Sequence, residues 1–382
     1  MHDHPPPFQT PPDAGAPALP LAGDTPPAPA APRPRLHPLL RSGLFLIAYV
    51  VVHLLVITLV GIFARGFSGR FFEEGGFGTS SEFLLLTIAL TAPLIVAVTV
   101  LFVRALDRRP LASLGARWPE GGPPRALRQA VTVPLATLAL LGAWLAAILA
   151  LPPSLAAVRF GGTSEVFASG PSWWPLPPAL LLPLLLLGFL IQGGLEEWIV
   201  RGYVYRALKD RWQPWAAALA SSILFSFLHA TNPNVSWVAL VNIVLAGMIL
   251  AALVERSGSL WGATLAHGVW NFSVACLLSV RLSGFEAFHL FDVSFQGDDL
   301  LTGGGFGPEG SLVLTVFGLL LAVALWRRRP PGTDDRPLKE ISLSAPEDKR
   351  EPVLQENSMV RPLQDSFFKR SSPQAPLEGL FV

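Results

Sequence analysis

The sequence predicts an all-α fold: a polytopic membrane helix bundle of about eight transmembrane helices. Three observations carry that expectation. Of 382 residues, 51% are hydrophobic and only 14% are charged, against about a quarter charged in an ordinary soluble domain. The apolar residues gather in long blocks, and eight of these approach the roughly 20 residues that a helix needs to cross a hydrocarbon core. The alternation expected of a membrane barrel strand is not seen. A helix, by contrast, satisfies its backbone polar groups within one segment, as lipid requires.

The blocks cover about 43–64, 83–103, 130–151, 178–200, 215–230, 235–254, 259–279 and 311–326. The fifth and the eighth are short. Residues 1–40 form a separate tail, with proline recurring too often for the apolar helix of a signal peptide. The tail is expected to be disordered and partly polyproline-like. Residues 330–382 are polar, charged and Pro-containing, and form a second tail of the same kind. The membrane bundle occupies 41–329 between them.

Basic residues orient the bundle, because Lys and Arg collect on the cytoplasmic side. Arg33, Arg35 and Arg41 precede the first span, and six arginines from Arg104 to Arg128 separate the second from the third. Arg206, Lys209 and Arg211 follow the fourth, Arg256 follows the sixth, and Arg327, Arg328 and Arg329 follow the eighth. The alternate loops hold only Arg65 and Arg70, then Arg159, then none, then Arg281. An even number of spans with both termini cytoplasmic fits every loop. Lys+Arg 28 against Asp+Glu 27 leaves no basic excess for a nucleic-acid partner. The single cysteine, Cys276, excludes an internal disulfide.

A charge inside a span costs about 2.5–3.5 kcal/mol on insertion scales, so each one needs a reason. The richest group is Glu196-Glu197-Trp198-Ile199-Val200-Arg201, which follows the fourth apolar run without a turn signal. The helix is expected to continue to about Lys209, which sets Glu196 well inside the membrane profile. The next turn falls near Arg211–Pro214. Glu196 precedes Trp212 by 16 residues and His229 follows it by 17. In a helical hairpin these two positions share a depth, roughly 20–25 Å from the turn. His267 and Asn271, at i and i+4 on one face of the seventh block, descend roughly 15–21 Å from the turn near Gly258.

Four polar residues on three helices can therefore converge. A glutamate beside a histidine activates water, the carboxylate taking the proton and the imidazole orienting the water. A second histidine and an Asn amide can donate to the oxyanion of a peptide carbonyl. Glu197 and Arg201 stand at i and i+4 in the favourable order for an ion pair that would fix the helix. Gly193 and Gly194 can kink that helix or admit a close neighbour.

The ordered set Glu196-Glu197-x-x-x-Arg201, Phe225-x-x-x-His229 and His267-x-x-x-Asn271 resembles the three motifs of the CPBP family, the CAAX protease and bacteriocin-processing family. The resemblance covers roughly residues 178–279. It implies an eight-helix membrane bundle acting as an intramembrane glutamic endopeptidase, a hydrolase. In it Glu196 and His229 activate water, His267 and Asn271 form the oxyanion site, and Glu197 and Arg201 support them. The implied partners are membrane lipid and a peptide or protein substrate, prenylated (CAAX-type) or otherwise membrane-associated. With the bias of Arg over Lys, the resemblance points to a bacterial inner membrane. No cofactor is expected. The alternative chemistry is a zinc peptidase using Glu196, His229 and His267, disfavoured because no H-E-x-x-H motif occurs. Other functional classes are a proton-coupled transporter, with buried Glu and His as relay, and a non-catalytic bacteriocin-immunity or scaffold protein. Against the transporter, the spans show no duplicated halves.

Overall fold

The computed structural model describes residues 36–67, 81–169 and 177–327. Most of the N-terminal tail, the whole C-terminal tail, and Arg33, Arg35, Arg70, Arg328 and Arg329 lie outside the described residues. Each apolar block carries a helix. These are α1 (Pro38–Phe67), α2 (Ser81–Leu101), α3 (Gly122–Leu149), α4 (Pro178–Lys209), α5 (Pro214–Leu228), α6 (Trp237–Ser257), α7 (Trp261–Phe272) and α8 (Leu312–Arg327).

Among the described residues, five helices are long and apolar enough to cross a membrane: α1, α2, α3, α4 and α6. The expectation of about eight spans is therefore met by five helices that qualify, not eight. Helices α5 and α8 are apolar but shorter. Helix α7 gives way after Phe272 to a π-helical turn, Ser273–Leu277, and its own length includes His267 and Asn271.

Local chemistry sets the ends of these helices. Pro214 occupies the first turn of α5, where its missing N–H would have no partner in any case. Ser236 caps α6 by accepting from the amide of Ala239 at 3.1 Å. The same helix closes on Gly258 at φ +66°, a left-handed position that a glycine adopts without strain. As the sequence leads one to expect, α4 does not stop at the charged cluster. It runs to Lys209, with Trp198–Tyr205 wound as a π-helix. Such wide turns recur at functional sites.

The basic loops collect at one end of the bundle. Arg41 at the start of α1 bonds Asp107 at 2.6 Å, Asp210, and the carbonyl of Ala207 at 3.2 Å. Arg109 also reaches Asp210, at 2.9 Å. Arg125 donates to the carbonyl of Arg256, and Arg256 to that of Leu325, both within 3 Å. The ends of α1, α2 and α4 are thereby tied together, and so are those of α3, α6 and α8.

The opposite end is closed by an element that the sequence did not announce. Strands β1 (Ala156–Thr163) and β2 (Phe291–Gly297) pair antiparallel across the loops that follow α3 and α7. Their apolar residues alternate over too few positions to separate from loop, and the ladder is irregular between Phe160 and Gly162. Trp144 of α3 packs beneath the ribbon, its ring 5.2 Å from Phe295. Asn232 joins the loop after α5 to this end by donating to Ser283. The two sets of loops that charge counting separates are separated in space.

Candidate active site

The polar centre is built where α4 and α7 touch, and glycines let them touch. A Cβ at Gly193 would lie 3.0 Å from the amide nitrogen of Gly268 and 3.2 Å from Cγ of His267. One at Gly268 would lie 2.7 Å from the backbone of Leu190. Gly193 thus marks a close approach between helices, and His267 arrives against the α4 carboxylates because of it.

His267 stands between both glutamates. Its Nδ1 is 3.0 Å from Oε1 of Glu197, and its Nε2 is 3.5 Å from Oε2 of Glu196. A carboxylate only accepts, so Nδ1 carries the proton that it donates to Glu197. Glu197 and Arg201 form the expected i, i+4 pair at 2.8 Å, and both side chains are wholly buried. The Arg201 guanidinium also lies 4.7 Å from the ring centre of Phe225, a cation–π distance. Its Nε and Nη2 have no hydrogen-bond partner. A Cβ at Gly247 of α6 would fall 2.9 Å from Arg201 Nη2, so α6 also closes tightly on this group.

Glu196 is less enclosed than Glu197. Its Oε1 accepts from Gln192, one turn earlier on α4. Its Oε2 is buried with no hydrogen-bond partner. Asn271 donates to Oε1 of the same Gln192 at 2.8 Å. Gln192 is therefore the link between Glu196 and Asn271, and it had not been singled out from the sequence. The available signal was its place at i−4 to Glu196 in an otherwise apolar run.

His229 sits at the end of α5 as its C-terminal cap. Its Nδ1 donates to the carbonyl of Phe225 at 2.9 Å, which leaves Nε2 with a lone pair. Phe225 stands between the two histidines, 4.7 Å from the His229 ring and 6.0 Å from the His267 ring. The structure thus joins Glu196, His267 and Asn271 through direct or one-residue contacts. His229 faces them from α5 with no direct bond to Glu196.

All four residues line one cavity of about 1010 Å³. Its walls also include α1, α2 and α3, which contribute His53, Thr91 and Thr132 among others. Asn242 of α6 lines it too, but its amide is committed to the carbonyls of Glu309 and Ser311, at 2.8 and 2.9 Å. It holds α6 to the start of α8.

Residues 178–273, which carry the whole site, match the family model for type II CAAX prenyl endopeptidase Rce1-like proteins. No curated protein matches the chain, and no solved structure does. With its membrane-length helices, the chain is an integral membrane protein. Over residues 178–273 the chain is similar to the Rce1-like type II CAAX prenyl endopeptidases.

Proposed function

We infer that the chain is an intramembrane endopeptidase that uses Glu196 as general base on a water held in the central cavity. The observation that carries this reading is Glu196 Oε2, a buried carboxylate oxygen without a hydrogen-bond partner, in a cavity shared with His229 and His267. His229, protonated on Nδ1, offers Nε2 to accept a hydrogen bond from the water and so orients the nucleophile, whose retained proton stays on the oxygen. Glu196 takes the one proton that leaves the water. The hydroxide attacks the carbonyl carbon of the peptide, and the C–N bond breaks as Glu196 returns its proton to the departing nitrogen.

His267 and Asn271 are the donors for the oxyanion. For His267 this role requires protons on both ring nitrogens, one shared with Glu197 and one on Nε2. Glu197 and Arg201 hold that ring in place. Gln192 positions Glu196 and Asn271 together. The reading uses no metal. The substrate is a prenylated CAAX-type peptide, as the family match suggests. The Arg-rich end faces the cytoplasm, with both termini on that side, in a bacterial inner membrane.

The test is cleavage of a fluorogenic farnesylated CAAX peptide by the purified protein in nanodiscs. Glu196→Gln and His229→Ala are each expected to lower kcat by about 10²–10⁴-fold, the range for loss of acid–base assistance, while membrane expression stays intact. Full activity in either variant overturns the assigned roles. Activity is expected to survive exhaustive chelation, and a loss restored by zinc would replace the mechanism.

A further inference from the structure

The helices outside the family match also face the cavity, and their polar groups are unusual. Thr87 and Thr91 of α2 both line it, at 8% and 6% exposure. Neither hydroxyl has a hydrogen-bond partner. Thr99, on the same helix, donates to the carbonyl four residues back at 2.7 Å, and Thr132 and Thr137 of α3 do so at 3.0 Å. That back-bond is the ordinary refuge of a threonine in an apolar helix. On the neighbouring α1, His53 also lines the cavity and is stacked against Tyr49, with ring centres 5.7 Å apart. Its Nδ1 is buried and also unpartnered.

Three orphaned polar atoms on one wall of one cavity carry a free-energy cost that a ligand can relieve. Their spacing is compatible with a peptide main chain. Thr87 and Thr91 are one turn apart, a rise of about 6 Å. In an extended peptide, groups facing the same way recur about every 6.6 Å. We propose that Thr87, Thr91 and His53 form a subsite for the main chain of an extended substrate segment, holding it across the cavity from Glu196. It rests on the peptidase reading and adds to it. The chemistry stays with α4, α5 and α7, while α1 and α2, outside the matched segment, grip the peptide backbone regardless of its side chains.

The experiment compares the full chain with Thr87→Val/Thr91→Val in nanodiscs, using the farnesylated CAAX peptide for cleavage and for direct binding in a Glu196→Gln background. The double variant is expected to raise KM and weaken binding about tenfold, with kcat changed less than about twofold. Its melting temperature should not fall, because no internal hydrogen bond is removed. Thr99→Val serves as control and leaves KM unchanged. Unaltered KM and binding in the double variant overturn the subsite, and so does a loss of activity that merely follows a lower melting temperature. A wild type that binds but does not cleave the peptide defeats the peptidase reading alone, and the binding comparison still judges the subsite. A wild type that neither binds nor cleaves it overturns both.

Discussion

The seam between α4 and α7 and the outer helix α1 obey opposite rules. On α1, Ile47, Val51, Leu55 and Leu59 are all more than half exposed. At the seam, Glu197 and Arg201 are fully buried. A soluble protein would reverse this distribution. In lipid, hydrocarbon outside is as good a solvent for leucine as another helix is. Apolar surface therefore does little to hold helices together, and close packing and polar contacts carry that load. The charged pair does not stabilise the bundle simply by existing, since a buried ion pair can cost as much as it returns. It gives the seam one arrangement, with His267 aimed at Glu196.

The contrast can be broken in graded steps. Arg201→Ala leaves Glu197 buried without its guanidinium partner. A loss of about 3–5 kcal/mol is expected, read as a large fall in melting temperature in detergent. Replacing the pair together, as Glu197→Leu/Arg201→Met, should recover much of that stability without recovering cleavage, because His267 loses its acceptor. Equal stability losses in the single and double variants would show that the pair stabilises in its own right. Next is Gly268→Ala, whose new methyl would meet the Leu190 backbone. Overpacking of this kind costs about 1–3 kcal/mol, and the separation of α7 from α4 should also reduce kcat. A stable variant with wild-type kcat would show that the seam tolerates slack. The smallest effect is expected on the outer helix. Leu55→Ala should alter stability by no more than about 0.5 kcal/mol and leave cleavage unchanged. A larger change would mean that this face of α1 is covered by protein.

Much of this organisation was legible before any coordinates. The apolar blocks announced helices, and the bounds agree to within a few residues for most of them. The continuation of α4 past its charges followed from the helix-compatible run up to Lys209, with no turn signal between the apolar run and the charges. The Glu197–Arg201 pair followed from helical spacing alone. The number of membrane crossings was less legible, because block counting cannot separate a spanning helix from a short, partly polar one such as α7. The ribbon of β1 and β2 was missed because its pairing joins residues more than a hundred positions apart, and neither strand carries a strong pattern alone. Within the site, depth arithmetic brought Glu196 and His229 to one level. It could not say that His267, rather than His229, makes the contact with Glu196.

The sequence by itself determined the helical membrane class, the segregation of basic loops and the identity of the polar residues at membrane depth. Those properties are local, written in runs of hydrophobicity and in spacings of three to four residues. Tertiary structure decided the rest. It placed Gly193 against Gly268, so that His267 could reach both glutamates. It used Gln192 to link Glu196 with Asn271, and it turned Thr87, Thr91 and His53 toward the same cavity. These are contacts between distant helices, set by how closely two backbones approach and how each helix is rotated. No single segment of the chain encodes either quantity.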